Sequence, residues 1–184
     1  MTIDPSILLA VRVLGILVFG MAVAGKLRHR DEFVGVVANY RLAQEALAPL
    51  IAWVIIILEI FVAISLATGF ARVAGAALAV SLLVAFAVAM AINLTRGRKE
   101  IDCGCFQSAL RQRLSVALVV RNVLLIAMLL PLFLPAADDA VQLPSLLQAV
   151  NGVGAGVALF VLYQIFGQAL ALRHAAEALR KRFV

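Results

Sequence analysis

Residues able to do chemistry are scarce in this chain of 184 residues, and two of them stand almost side by side. Cys103 and Cys105 are its only cysteines, set in Ile101-Asp102-Cys103-Gly104-Cys105-Phe106-Gln107. A disulfide between them would close a very small ring. Ordinary Cα separations and torsions are hard to meet there, so the bond would be strained and readily reduced. Gly104 removes a side chain where the backbone demand is greatest. A strained, accessible disulfide belongs to the labile, catalytic kind, and a bridge across so short a loop adds little stability. Arg98, Lys99, Arg111 and Arg113 favour a thiolate, whereas Glu100 and Asp102 oppose it. The competing reading is a pair of free thiols that never bond. Zinc normally takes about four ligands, and His29 and His174 lie far from the cysteines in sequence, so no metal site is expected. No GxGxxG, P-loop, HExxH or GxSxG pattern occurs, which leaves nucleotide-cofactor and hydrolase chemistry without a foothold.

The elements that must position this loop follow from composition. Hydrophobic residues make up 65% of the chain, charged residues 14%, and the mean hydropathy is +1.08. Too few polar residues exist to cover a water-soluble domain. The expected fold is all-α, a polytopic membrane helix bundle of about five transmembrane helices, because ~20 apolar residues cross the hydrocarbon core as a helix. The apolar runs cover about 6–25, 47–68, 73–94, 115–134 and 146–170. Residues 1–172 read as a single transmembrane domain and 173–184 as a basic tail. Short linkers make sequential helices antiparallel neighbours. Between the first two spans, Phe33, Val36, Val37, Tyr40 and Leu47 recur near helical spacing, which predicts an interfacial amphipathic helix within Asp31–Glu45. Val13–Met21 followed by Ala22-Val23-Ala24 has the look of a cleavable signal peptide. The residues before Arg12 are apolar rather than basic, however, and Lys26, Arg28 and Arg30 oppose translocation of the segment after them. A retained first span is therefore expected.

Charge sets the orientation. Of the 16 Lys and Arg residues, all but Arg12, Arg72 and Arg121 fall in the first loop, the third loop and the tail. Five crossings put those three segments on one side. The positive-inside rule then places the amino terminus outside and the carboxyl terminus and cysteine loop on the cytoplasmic side. The net charge of +6 does not point to nucleic acid, since the basic residues sit in short clusters between apolar runs.

Arg12, Glu59 and Arg121, with Asn122 beside the last, fall inside spans, where an unpaired charge costs several kcal/mol. Arg12 and Glu59 differ by only about 5 Å in expected depth, which predicts an Arg12–Glu59 ion pair. Its competing role is merely to register two helices. Arg121 lies on the side of the cysteines and would favour a thiolate there; its other reading is a guanidinium snorkelling to the headgroups.

These residues carry a resemblance. Arg12-Val13-Leu14-Gly15, Gly25-Lys26-Leu27-Arg28, the Phe33…Tyr40-Arg41 stretch, Leu58-Glu59, Asp102-Cys103-Gly104-Cys105-Phe106 and Arg121-Asn122 together resemble the MauE family, within the wider MauE/DoxX group of redox-associated membrane proteins. The family continues the cysteine motif with glycine where this chain has Gln107. The resemblance implies a role in methylamine utilisation, in processing, transport or maturation of the disulfide-rich, exported β subunit of methylamine dehydrogenase, beside a thioredoxin-like partner. The expected function is thiol–disulfide exchange through Cys103 and Cys105, with Cys103 the exposed sulfur, Cys105 the buried one, and Gly104 and Phe106 shaping the loop. Onward electron transfer would admit a quinone, although no residue marks a site for one. The alternatives are a small-solute transporter using Arg12, Glu59 and Arg121, or a non-catalytic membrane assembly subunit.

Overall fold

A computed structural model describes residues 4–98, 101, 114–134 and 145–180. Cys103, Gly104, Cys105 and Phe106 lie outside the described residues, as do the linker at 135–144 and the last four positions. The described chain is helical: α1 (Pro5–Arg28), α2 (Arg30–Asn39), α3 (Ala48–Thr68), α4 (Arg72–Thr95), α5 (Val116–Leu129) and α6 (Leu146–Arg180). All but α2 are long and apolar enough to cross a membrane, α5 with the help of the 3₁₀ turn Leu130–Phe133 that extends it. The fold is thus an all-α polytopic membrane bundle. Ile57, Phe61 and Ile64 on α3, Val123 and Leu124 on α5, and Leu162 and Ile165 on α6 face outward, where lipid takes the place of water as solvent.

Local sequence explains the ends. Asp4 accepts a hydrogen bond from the Ser6 amide at 2.7 Å and Pro5 occupies the first turn of α1, satisfying or removing donors that a helix start leaves free. The α3–α4 turn rests on Gly69 at φ +74°, whose amide donates to the Ser65 carbonyl at 3.0 Å; glycine adopts this left-handed conformation without a Cβ clash. The short α2 is amphipathic over the first part of the predicted Asp31–Glu45 segment but ends at Asn39, where the chain turns through Arg41 at φ +48°, and Leu47 lies exposed in a separate 3₁₀ turn. Phe33 is buried against Ala52 and Ile56 of α3, while Arg30, Asp31 and Glu32 are exposed.

α1, α3, α4 and α5 form the core, built around Leu14, Phe19, Val62, Leu66, Leu82 and Leu125. Consecutive spans from α3 to α5 are neighbours, as expected. α6 corrects that rule: its main partner is α1, with which it runs parallel, and not α5. The reason is a pair of glycines four residues apart. A Cβ at Gly152 would stand 2.9 Å from the Ser6 carbonyl oxygen, and one at Gly156 2.7 Å from that of Ala10. Their absence lets the two backbones approach closely, which is how small residues drive helix association where no hydrophobic force operates.

Gly156→Leu is therefore expected to destabilise the bundle by about 1–3 kcal/mol through overpacking. Gly154→Leu should be near neutral, since nothing lies within 4 Å of a Cβ there. Thermal unfolding of both variants in one detergent distinguishes them.

Candidate functional site

Two regions at one end of the bundle hold or border residues that the sequence singles out. That end carries the close of α1, α2, the start of α3, the close of α4 and the start of α5, together with Lys26, Arg41 and Arg96. The opposite end carries Arg12 and Arg72.

The first region is an ion pair inside the bundle. Lys26 Nζ donates to Glu59 Oε1 at 2.6 Å and to Oε2 at 2.7 Å, and both side chains are buried. The helix geometry brings them together. In a helix every Cα–Cβ bond leans toward the amino terminus, and α1 and α3 run in opposite directions. Lys26 therefore leans back into the bundle while Glu59 leans out to meet it. The ammonium also lies 5.2 Å from the centroid of the Phe33 ring and 5.5 Å from that of Phe86, where ring faces add attraction for a cation. A lysine near a helix end ordinarily turns its head to the interface; here it turns inward.

This arrangement corrects the expected Arg12–Glu59 pair. Arg12 donates instead to backbone carbonyls at the end of α3, from Nε and Nη2 to Leu66 at 3.1 and 2.9 Å and from Nη2 to Ala67 at 3.3 Å. Leu66 lies almost two turns beyond Glu59, about 10 Å along the helix. The last carbonyls of a helix lack intrahelical donors and carry the negative end of its dipole. They offer Arg12 a partner closer to the membrane surface than a buried carboxylate. Gly69 keeps the approach open, since a Cβ there would stand 3.0 Å from Arg12 Nη2. Sequence reasoning missed Lys26 because the apolar run of span one ends at Gly25. Continuing the helical pattern through Arg28 would have put Lys26 on the same helix as Arg12 and within reach of Glu59.

The second region is the base of the segment that carries the cysteines. The Leu114 amide donates to the Ile101 carbonyl at 3.0 Å, so the chain returns at Leu114 to where it left at Ile101. Met90, Leu114 and Leu118 pack beneath, with Tyr40, Leu94 and Ile101 against them. Asn93, missed in the sequence and fully buried, holds the end of α4: its Nδ2 donates to the Ala89 carbonyl at 3.1 Å, and its Oδ1 accepts from Arg98 Nη1 at 3.3 Å.

Arg121 and Asn122 on α5 are both buried. The Arg121 guanidinium lies over the Tyr163 ring of α6, 5.0 Å from its centroid, and so faces a ring inside the bundle. Glu59 and Asn122 line one small cavity together with Lys26 and Tyr163. The structure thus brings Glu59 and Asn122 together and leaves Arg12 apart. Among the described residues no group of His, Cys, Asp and Glu could hold a metal ion.

A family model described as "Methylamine utilisation protein MauE" matches residues 4–135. The chain is 40% identical over 163 residues to a protein of Paracoccus denitrificans named "Methylamine utilization protein MauE", covering 88% of this chain and 86% of that one. A protein of the same name from Methylorubrum extorquens is 40% identical over 162 residues, 87% of this chain and 86% of its own length. A third, from Methylophilus methylotrophus, is 34% identical over 161 residues, 87% and 84% respectively. No solved structure matches.

If Lys26 and not Arg12 is the partner of Glu59, a double-mutant cycle will say so. Glu59→Gln or Lys26→Met alone leaves one buried charge unpaired, at an expected cost of about 3–5 kcal/mol, and the pair of changes together recovers most of it. Arg12→Ala should show no coupling to Glu59→Gln. Denaturation midpoints in detergent measure all of these.

Proposed function

Because the chain belongs to the MauE family of membrane proteins, linked to methylamine utilisation, we propose that it serves that process by thiol–disulfide exchange at Cys103 and Cys105. The observation that carries this reading is the Cys103-Gly104-Cys105 sequence itself, the chain's only cysteines, set between α4 and α5. The packed base at Ile101 and Leu114 supports it, because it fixes where the cysteine-bearing segment leaves and rejoins the bundle.

A partner thiolate attacks one sulfur of the Cys103–Cys105 disulfide. That S–S bond breaks, a mixed disulfide forms, and the other cysteine leaves as a thiolate. A second partner thiolate then attacks the mixed disulfide. The partner departs oxidised and the pair is reduced by its two electrons. When that partner is the client it leaves with a new disulfide, and the same steps in reverse pass the two electrons from the reduced pair to the disulfide of a thioredoxin-like protein. Cys103 is the sulfur attacked and Cys105 the resolving one. Gly104 and Phe106 shape the turn, and Arg121, buried on α5 beyond the loop's anchor, contributes positive charge that favours the thiolate.

The distribution of Lys and Arg supports a cytoplasmic position for this end in a bacterial inner membrane. A thioredoxin-like protein on that side is the redox partner, and the client is a disulfide-bearing protein, the methylamine dehydrogenase β subunit, engaged before export. The reading as a transporter with Arg12, Glu59 and Arg121 on one path loses support, because Arg12 is bound to the carbonyls closing α3.

Changing both cysteines to serine should lower client disulfides to background, and serine at Cys105 alone should accumulate a mixed disulfide at Cys103. Non-reducing mass spectrometry of acid-quenched cells reads both. A membrane-impermeant thiol reagent applied to whole cells and to inverted vesicles reports the side, with labelling expected in the vesicles. Unchanged client oxidation in the double variant would sink the proposal.

A further inference from the structure

The cavity between Lys26–Glu59 and α5 has a chemistry that thiol exchange does not use. Its volume is about 30 Å³, against the ~10–15 Å³ that one water requires. It is lined by the polar residues Lys26 of α1, Glu59 of α3 and Asn122 of α5 and by apolar residues that include Phe19, Leu83 and Phe86. Asn122 is 2% exposed, and its Nδ2 has no hydrogen-bond partner among the described residues. Leaving such a donor unsatisfied in a low-dielectric interior costs about as much as a lost hydrogen bond, and more where lipid surrounds the protein. Across the same space stands Glu59. A carboxylate offers about four lone-pair directions, and Lys26 is the partner it meets here, one bond to each oxygen.

A donor that needs an acceptor thus faces an acceptor with capacity to spare, across a space of molecular size. From this we infer that the cavity is a water-binding site inside the membrane and that it opens the Lys26–Glu59 pair to proton exchange. The water accepts from Asn122 Nδ2 and donates to a Glu59 oxygen, so Asn122, water, Glu59 and Lys26 form one chain across α5, α3 and α1. Protons of the Lys26 ammonium then exchange with solvent through the bound water, whereas a dry, sealed pair would hold them. The charged and polar groups lining the site are Lys26 from α1, Glu59 from α3, Asn122 from α5 and Tyr163 from α6, with Phe33 of α2 beside the ammonium and Arg121 of α5 over the Tyr163 ring.

Radiolytic hydroxyl labelling of the whole protein in detergent tests this, since radicals born from a bound water mark the side chains beside it. Phe86 and Tyr163 should label well above Phe61, which faces the lipid side. In heavy water, the infrared carboxylate bands assigned to Glu59 by their loss in Glu59→Gln should shift promptly. Asn122→Leu, which removes the donor and fills the space, should reduce the labelling and slow the shift by about tenfold or more, the scale set by losing one buried hydrogen bond. Labelling of Phe86 and Tyr163 no greater than that of Phe61 overturns the inference, and this comparison needs only the unmodified protein should Asn122→Leu fail to fold. Persistence of both signals in a folded Asn122→Leu protein overturns it as well. The Cys103→Ser, Cys105→Ser double variant should give the same labelling as the parent, so failure of the thiol reading and failure of this one are separately visible.

Discussion

A lysine and a glutamate that neutralise one another inside an apolar bundle set the terms for everything around them. Neither could stay charged alone in hydrocarbon, so α1 and α3 must keep their relative depth to within the length of a hydrogen bond. Phe33 and Phe86 wrap the ammonium and bring α2 and α4 into the same arrangement. Asn122 adds α5 and Tyr163 adds α6 through the shared cavity. Six helices are thus referred to one point, and sliding α1 against α3 would part the two charges. An apolar contact would hold the helices together equally well but would tolerate slippage by a turn. The ion pair fixes a register, which is the use for which buried polar groups are best attested.

That register matters for the end of the bundle where the cysteine-bearing segment begins and returns. Met90 and Leu94 on α4 and Leu114 and Leu118 on or before α5 form the floor beneath Ile101. Phe86 sits one turn below Met90 and touches both the floor and the ammonium. A single aromatic ring therefore joins the charged centre to the anchor. The far end is built differently. Arg12 there closes α3 by bonding its last carbonyls, and Arg72 donates to the Leu134 carbonyl at 3.2 Å. Arg12 and Arg72 at that end satisfy backbone carbonyls; Lys26 at the other end satisfies a carboxylate.

Much of this was legible in the residues. Bilayer thickness forces apolar runs of a given length, and α3, α4 and α5 announce themselves that way. The amphipathic spacing of Phe33, Val36, Val37 and Tyr40 announces α2. Intramembrane Arg12, Glu59, Arg121 and Asn122 stand out as anomalies because charge and amide groups are rare in lipid. Their partners were not visible. Pairing depends on which way a side chain leans and on where a helix truly ends, and a shift of three residues at the close of α1 separates Arg12 from Lys26 as the answer. The α1–α6 contact was hidden for another reason: Gly152 and Gly156 show that something comes close, without saying what. The cysteine motif reads as chemistry from residue type and spacing alone, and it remains a proposal on those grounds.

The parallel seating of α6 on α1 has a consequence for biogenesis. α1 leaves the ribosome well before α6 and reserves one flank for it, so that flank travels bare while the three spans between them are inserted and packed. Until the helix beginning at Leu146 emerges, the ridge of Ser6, Leu9, Ala10 and Val13 is a vacant berth for any passing helix with two suitably spaced glycines. Insertion factors would have to shelter this span until its partner arrives, and assembly then closes like a clasp, α6 upon α1.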